Sequence, residues 1–193
     1  MIDFTTRVSN ADFWFKQATQ MYEASLALFP YIKLTDSAND LCVGASKGSA
    51  FLLGISIENA FKAVLVYRGL LKIEDKNKNN KSKEIDLRIS FDIGRGSHDL
   101  YKYAEYLDVS LNENETELLK RLSQYTIWAG KYGTPLSERE FKKSSLFQKN
   151  TDFEVAEALL LRLKILAGFS VVSGWPAILI DDERETTNHN SLL

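Results

Sequence analysis

The stretch Phe51-Leu52-Leu53-Gly54-Ile55-Ser56-Ile57-Glu58-Asn59-Ala60-Phe61-Lys62-Ala63-Val64-Leu65 decides the reading of this chain. It is apolar on nearly every side, the pattern of a helix buried all round at the centre of a bundle. The periodicity places this helix from Ser46 to Tyr67, with Gly69 as its C-terminal stop. A carboxylate, an amide and an ammonium interrupt it, at Glu58, Asn59 and Lys62. Polar groups buried between helices cost free energy unless they are paired. Glu58 and Lys62 stand four apart in the favourable order for a helical ion pair. Either these residues point to the rim, or they form a small network between helices. That network is the first candidate for a site.

The second informative segment is Gly96-Ser97-His98-Asp99-Leu100, which carries one of only two histidines. A short helix is expected from His98 to Leu107, with Ser97 as N-cap and Asp99 suited to the positive end of the helix dipole. If His98 lies over Glu58, the carboxylate sets its tautomer, and the ring can serve as a general acid or base. A capping or packing role is the alternative. Arg95, just upstream, can bind phosphate beside that helix terminus or stay an exposed loop arginine.

Around these segments the periodicity gives further helices. One is expected from about Ala11 to Phe29, ended by Pro30, with Phe13, Trp14, Ala18, Met21, Tyr22, Ala24, Ser25 and Leu28 on its apolar side. A fourth opens on a capping box of Asn112 and Glu115 and carries Leu118, Leu119, Leu122, Tyr125, Thr126 and Ala129 on one face. A fifth, to about Phe169, opens on a second capping box of Thr151 and Glu154. Between Leu71 and Arg95 lies an Asn/Lys/Glu-rich insertion, read as a solvated loop, with a nucleic-acid tether as the alternative. Within it Ile85 to Phe91 alternates apolar and polar, as a short strand or an extended return leg. The expected architecture is all-α: an up-and-down helical bundle of four to five helices with one long polar insertion. Residues 1–176 form one helical domain, and 177–193 are expected to be a flexible tail.

Composition narrows the function classes. The 193 residues are 45% apolar and 26% charged, ordinary for a soluble globular domain. A net charge of −2 gives no global drive toward nucleic acid or an acidic membrane. The single cysteine, Cys42, excludes an intrachain disulfide and fits a cytoplasmic setting, where it reads as a small buried hydrophobe near a helix start. The N-terminus lacks the apolar run of a signal peptide. The apolar-rich stretch from Ile165 to Ile180 is shorter than a membrane span and is broken by Gly168, Gly174 and Pro176, so no membrane contact is expected. No Walker or Rossmann loop, no His-Glu-x-x-His and no nucleophile elbow is present, and two histidines with one cysteine make a poor zinc set. Neither a metal nor a cofactor is expected. On the fourth helix Arg121, Gln124, Trp128 and Lys131 recur at spacings of three and four. Such a basic-aromatic stripe, with Tyr132 at its end, can hold a base or a phosphate, or form a dimer seam.

The helix with Ile57-Glu58-Asn59-Ala60-Phe61-Lys62-Ala63-Val64-Leu65, the insertion, and then Ser97-His98-Asp99-Leu100 with Ala104 and Leu107 resemble the HEPN superfamily. Leu119, Leu122, Tyr125, Trp128-Ala129-Gly130-Lys131-Tyr132 and Pro135 resemble an extension seen in some bacterial members. The resemblance spans roughly Phe51 to Pro135. It implies a helical bundle that pairs into a homodimer and works in an RNA-linked process such as defence or toxin regulation, with RNA and an antitoxin-like protein as partners. Active members are ribonucleases with an Arg-x4–6-His motif. Here only two residues separate Arg95 from His98, and nine separate Arg88 from it. If the chain is a nuclease, the resemblance implies metal-independent transesterification, with His98 moving a proton and Arg95 stabilising phosphorane charge. The alternative is a non-catalytic helical dimer that binds a protein partner or a nucleotide, with Glu58, Asn59, Lys62, His98 and Asp99 as a structural network.

Overall fold

A computed structural model describes residues 3–32, 40–75, 87–91, 93, 98–129, 138, 149 and 151–176, with Trp128 and Ala129 described by their backbone alone. The chain is mostly helical with a small two-stranded sheet. In order, the elements are α1 (Phe4–Val8), α2 (Ala11–Ile32), α3 (Asp40–Tyr67), β1 (Leu71–Asp75), β2 (Leu87–Phe91), α4 (Leu100–Tyr106), α5 (Glu113–Gln124) with a π-helical continuation (Tyr125–Ala129), and α6 (Asp152–Leu166). The flexible tail expected over 177–193 and the centre of the polar insertion lie outside the described residues.

The apolar stretch that opened the sequence reading is the core of α3. Ile57, Ala60, Phe61, Ala63, Val64 and Leu65 are all fully buried there, against α2, α4, α5 and α6. The helix starts at Asp40, six residues before the expected Ser46. Its C-terminus falls where Gly69 predicts. Gly69 takes φ +71°, and Gly69 N–H and Leu70 N–H donate to Val66 and Leu65 carbonyls, a Schellman closure that a side chain would strain. By length and composition α3 could cross a membrane, but 78% of that apolar window is buried inside the fold, as a core helix requires.

α2 and α3 form an antiparallel hairpin joined by hydroxyls. Ser25 Oγ donates to Ser49 O at 2.7 Å, Ser49 Oγ returns to Ser25 O at 3.2 Å, and Ser56 Oγ donates to Ala18 O at 2.7 Å. Small residues at these positions let the backbones approach until a side-chain hydroxyl reaches the opposite carbonyl. Pro30 lies inside α2 rather than ending it. It removes one hydrogen bond in the last turn, and the helix continues for two residues beyond it. Phe15, absent from the expected apolar set, is buried and packs on Trp175.

The polar insertion is not a plain loop at its two ends. β1 and β2 pair antiparallel, from Leu71 opposite Phe91 to Asp75 opposite Leu87. This corrects the expectation of at most one marginal strand. Leu71 and Ile73 on β1 and Ile89 and Phe91 on β2 share the inward face, and Phe91 meets Trp14 of α2 edge-on at 5.7 Å. The hairpin carries the chain back so that α4 runs alongside α3 in the same direction. Phe61 stacks on Tyr103 with centroids 5.7 Å apart, and Arg68 Nη1 donates to Leu107 O at 2.7 Å. The strict alternation of an up-and-down bundle is therefore broken between α3 and α4. α5 then runs antiparallel to α4, and α6 antiparallel to α5, as the Arg121–Asp152 and Glu115–Arg162 pairs require.

Two of the three expected caps change. Asp99, not Ser97, caps α4, and its carboxylate accepts from Tyr101 N–H and Lys102 N–H. Ser97 lies outside the described residues. The Asn112–Glu115 capping box of α5 forms as expected. The Thr151–Glu154 box does not, because Thr151 has a helical backbone and makes no side-chain cap bond. Asp152 instead turns inward and accepts from Lys149 N–H at 2.9 Å.

Phe61 is fully buried and stacked on Tyr103, so Phe61→Ala removes packing that the surrounding helices cannot refill. The variant should lose about 3–5 kcal/mol in a urea unfolding titration. An unchanged midpoint would contradict this placement of the core.

Candidate functional site

Of the residues expected to form a network, Glu58, Lys62 and His98 come together. Glu58 is on a buried turn of α3, its side chain 3% exposed. One carboxylate oxygen accepts from Lys62 Nζ at 2.6 Å, and the other lies 3.1 Å from His98 Nδ1. The His98 side chain is 48% exposed. The ring thus stands between a buried carboxylate and solvent. With Nδ1–H donating to Glu58, the lone pair on Nε2 faces away from the carboxylate and is free to accept a proton. Lys62 also lies over the Trp14 ring, 5.5 Å from its centroid, and Trp14 is anchored through its indole N–H to Val8 O at 2.8 Å. Two oxygens with two charge-bearing partners compensate the burial of the carboxylate.

Not all of the expected site residues meet there. Asn59 turns its amide back along its own helix, donating to Ile55 O at 2.8 Å, and takes no part in the pair. Asp99 is engaged in capping α4 and accepts at 3.4 Å from Ser123 Oγ. Arg95 lies outside the described residues.

Two residues that sequence reasoning did not assign to the site hold its backbone. Ser123 Oγ accepts from Leu100 N–H at 2.8 Å, docking the start of α4 on α5. Thr126, in the π-helical turn, donates to His98 O at 2.7 Å. Thr126 reaches this far because Gly54 of α3 leaves room. A Cβ at Gly54 would stand 2.7 Å from the Thr126 methyl. One signal in the sequence points this way: the glycine inside the apolar run over residues 51–65, one turn before Glu58.

Of the expected basic-aromatic stripe on α5, Arg121 is not part of a free face. Arg121 is buried and pairs with Asp152 of α6, with Glu117 also 3.7 Å from its guanidinium. Lys149 pairs with Glu117 and closes this group, which fastens α5 to α6. Burial pushes the Asp152 carboxyl up, against the opposing pull of the Lys149 N–H and the Arg121 guanidinium. Gln124 is half-buried, the Trp128 side chain is not among those described, and Lys131 and Tyr132 lie outside the described residues. Among the described residues no group of three or more His, Cys, Asp or Glu is placed to hold a metal ion.

Tyr103 borders the site from α4. Burial, and after it the charge of Glu58, pushes its hydroxyl well above the ordinary tyrosine value. A folded-state pKa raised in this way stabilises the fold fully below the unfolded value of about 10 and loses that contribution as pH rises above it. Stability measured by urea unfolding should therefore decline above about pH 10, and Tyr103→Phe should make the decline shallower. An identical slope in the variant would remove Tyr103 as its source. No protein-family model matches this chain, and neither a curated protein nor a solved structure does.

Proposed function

We propose that this chain is a HEPN-like helical bundle, cytoplasmic and paired as a homodimer, that acts on RNA in a defence or toxin-type process. The observation that carries the reading is the half-exposed His98 ring held through Nδ1 by the buried Glu58 carboxylate. A carboxylate behind a histidine fixes the tautomer in which Nε2 can take a proton, and it stabilises the imidazolium that results. In RNA the matching proton is on the ribose 2′-OH. His98 Nε2 takes it, the 2′-oxygen attacks the adjacent phosphorus, and the P–O5′ bond breaks. The leaving 5′-oxygen takes a proton from water, the imidazolium returns its own to solvent, and the products are a 2′,3′-cyclic phosphate and a 5′-hydroxyl. Phosphorane charge needs a cation nearby. The sequence offers Arg95 for that part, with two residues rather than four to six between it and His98.

The test is incubation of the purified chain with single-stranded RNA in the presence of a chelator. Wild-type protein should give fragments ending in cyclic phosphate. His98→Ala should cut the rate by about 10²–10⁴-fold, the usual contribution of a general acid or base. Cleavage that persists in His98→Ala would defeat the assignment.

A non-catalytic reading is favoured by a different observation: both oxygens of Glu58 already have partners within the chain. On that reading the network fixes helix register in a module that binds a protein partner or a nucleotide. RNA would stay intact, while His98→Ala would lower stability by about 1–3 kcal/mol by leaving one oxygen of a buried carboxylate unpaired.

A further inference from the structure

We infer that Thr126, seated against Gly54, is a positioning residue for His98: its hydroxyl fixes the backbone from which the imidazole reaches Glu58. The inference rests on the reading of His98 as the proton-transfer group. A threonine in a regular helix turns its hydroxyl back to the carbonyl four residues earlier. Here that bond, to Leu122 O, is the longest of three at 3.4 Å. Ser123 O lies at 3.0 Å, and His98 O is nearest at 2.7 Å. A single hydroxyl proton therefore goes to His98, across elements.

The local winding explains the choice. Tyr125–Ala129 is a π-helical turn, rare in proteins and concentrated at functional sites. The wider turn loosens the hold of Leu122 O on the hydroxyl and swings Thr126 outward to the segment before α4. Two features show that the position is built rather than incidental. Thr126 is fully buried, and its methyl fills the space that a Cβ on Gly54 would otherwise claim. His98 itself precedes the cap of α4, so no helical hydrogen-bond ladder holds it. Two contacts anchor this residue among the described residues: Glu58 on the ring and the Thr126 bond on the carbonyl. Removal of the second lets the ring drift from the carboxylate while Glu58 and Lys62 stay in place.

The experiment reads the tautomer of the neutral His98 ring by long-range nitrogen–proton correlation in the full chain. The only other histidine is His189, and His189→Gln assigns the signals. Wild type and Thr126→Ser should carry the proton on Nδ1. Thr126→Val, equal in shape but without the donor, should move the population toward Nε2–H. Gly54→Ala, which keeps the hydroxyl but displaces it, should do the same. Gly54→Ala combined with Thr126→Ser exchanges one methyl for the other and should restore the Nδ1–H signature. If the signature survives both Thr126→Val and Gly54→Ala, the inference fails. It also fails if Thr126→Ser loses the signature as fully as Thr126→Val, since packing alone would then be responsible. Circular dichroism confirms that each variant is folded, and the Gly54 pair decides the matter should Thr126→Val not fold. In RNA cleavage, Thr126→Val should lower turnover at least tenfold and Thr126→Ser should recover it. The tautomer reading needs no RNA, so a chain that never cleaves RNA removes the proposed reaction and leaves the positioning role standing.

Discussion

A carboxylate in the middle of the most buried helix is the constraint on which the site depends. Glu58 stands among Ile57, Phe61 and Val64, and almost none of it reaches water. An unpaired charge in that place costs several kcal/mol. Lys62, one turn along, supplies one partner, and His98 supplies the other across the helix interface. Compared with an apolar residue of the same volume, such a network adds little net stability. Its structural consequence is geometric. The segment before α4 must enter at the level of Glu58 and at no other turn of α3.

The polypeptide meets that demand by several independent devices. The β1–β2 hairpin returns the chain from the end of α3, and its inner Phe91 rests on Trp14, which also flanks Lys62. Ser123 holds the first turn of α4, and Thr126 holds His98. Phe61 and Tyr103 stack one turn further on and carry the same register into the core. The Arg121–Asp152 pair takes no part in this network. It fixes α6 against α5, and so it spends the arginine that the sequence offers as a phosphate ligand.

Much of the fold was legible because the signals are local. Uniform apolarity marks α3 as central, Gly69 ends it, and Asn112 with Glu115 opens α5. The errors also have physical causes. Thr151 and Glu154 carry the letters of a capping box, but Asp152 finds a stronger partner in buried Arg121 and the backbone adjusts to it. Pro30 costs one hydrogen bond at the end of a long helix, too little to stop it against the packing of α2 on α3. Leu71–Asp75 alternates apolar and polar in only five residues of charged sequence, and it becomes a strand because β2 lies beside it.

That Glu58 and Lys62 share a helix face, and that a polar group on an apolar helix must find partners, can be read from the residues in order. Both follow from helical spacing and the cost of burial, which need no knowledge of neighbours. It takes the packed fold to make His98 the second partner, to occupy Asp99 and Asn59 elsewhere, and to set Thr126 against the histidine carbonyl. Those choices depend on the close approach of α3 and the π-helical turn at Gly54, residues far apart in the chain. Local periodicity carries no record of which distant surface will arrive against a given turn.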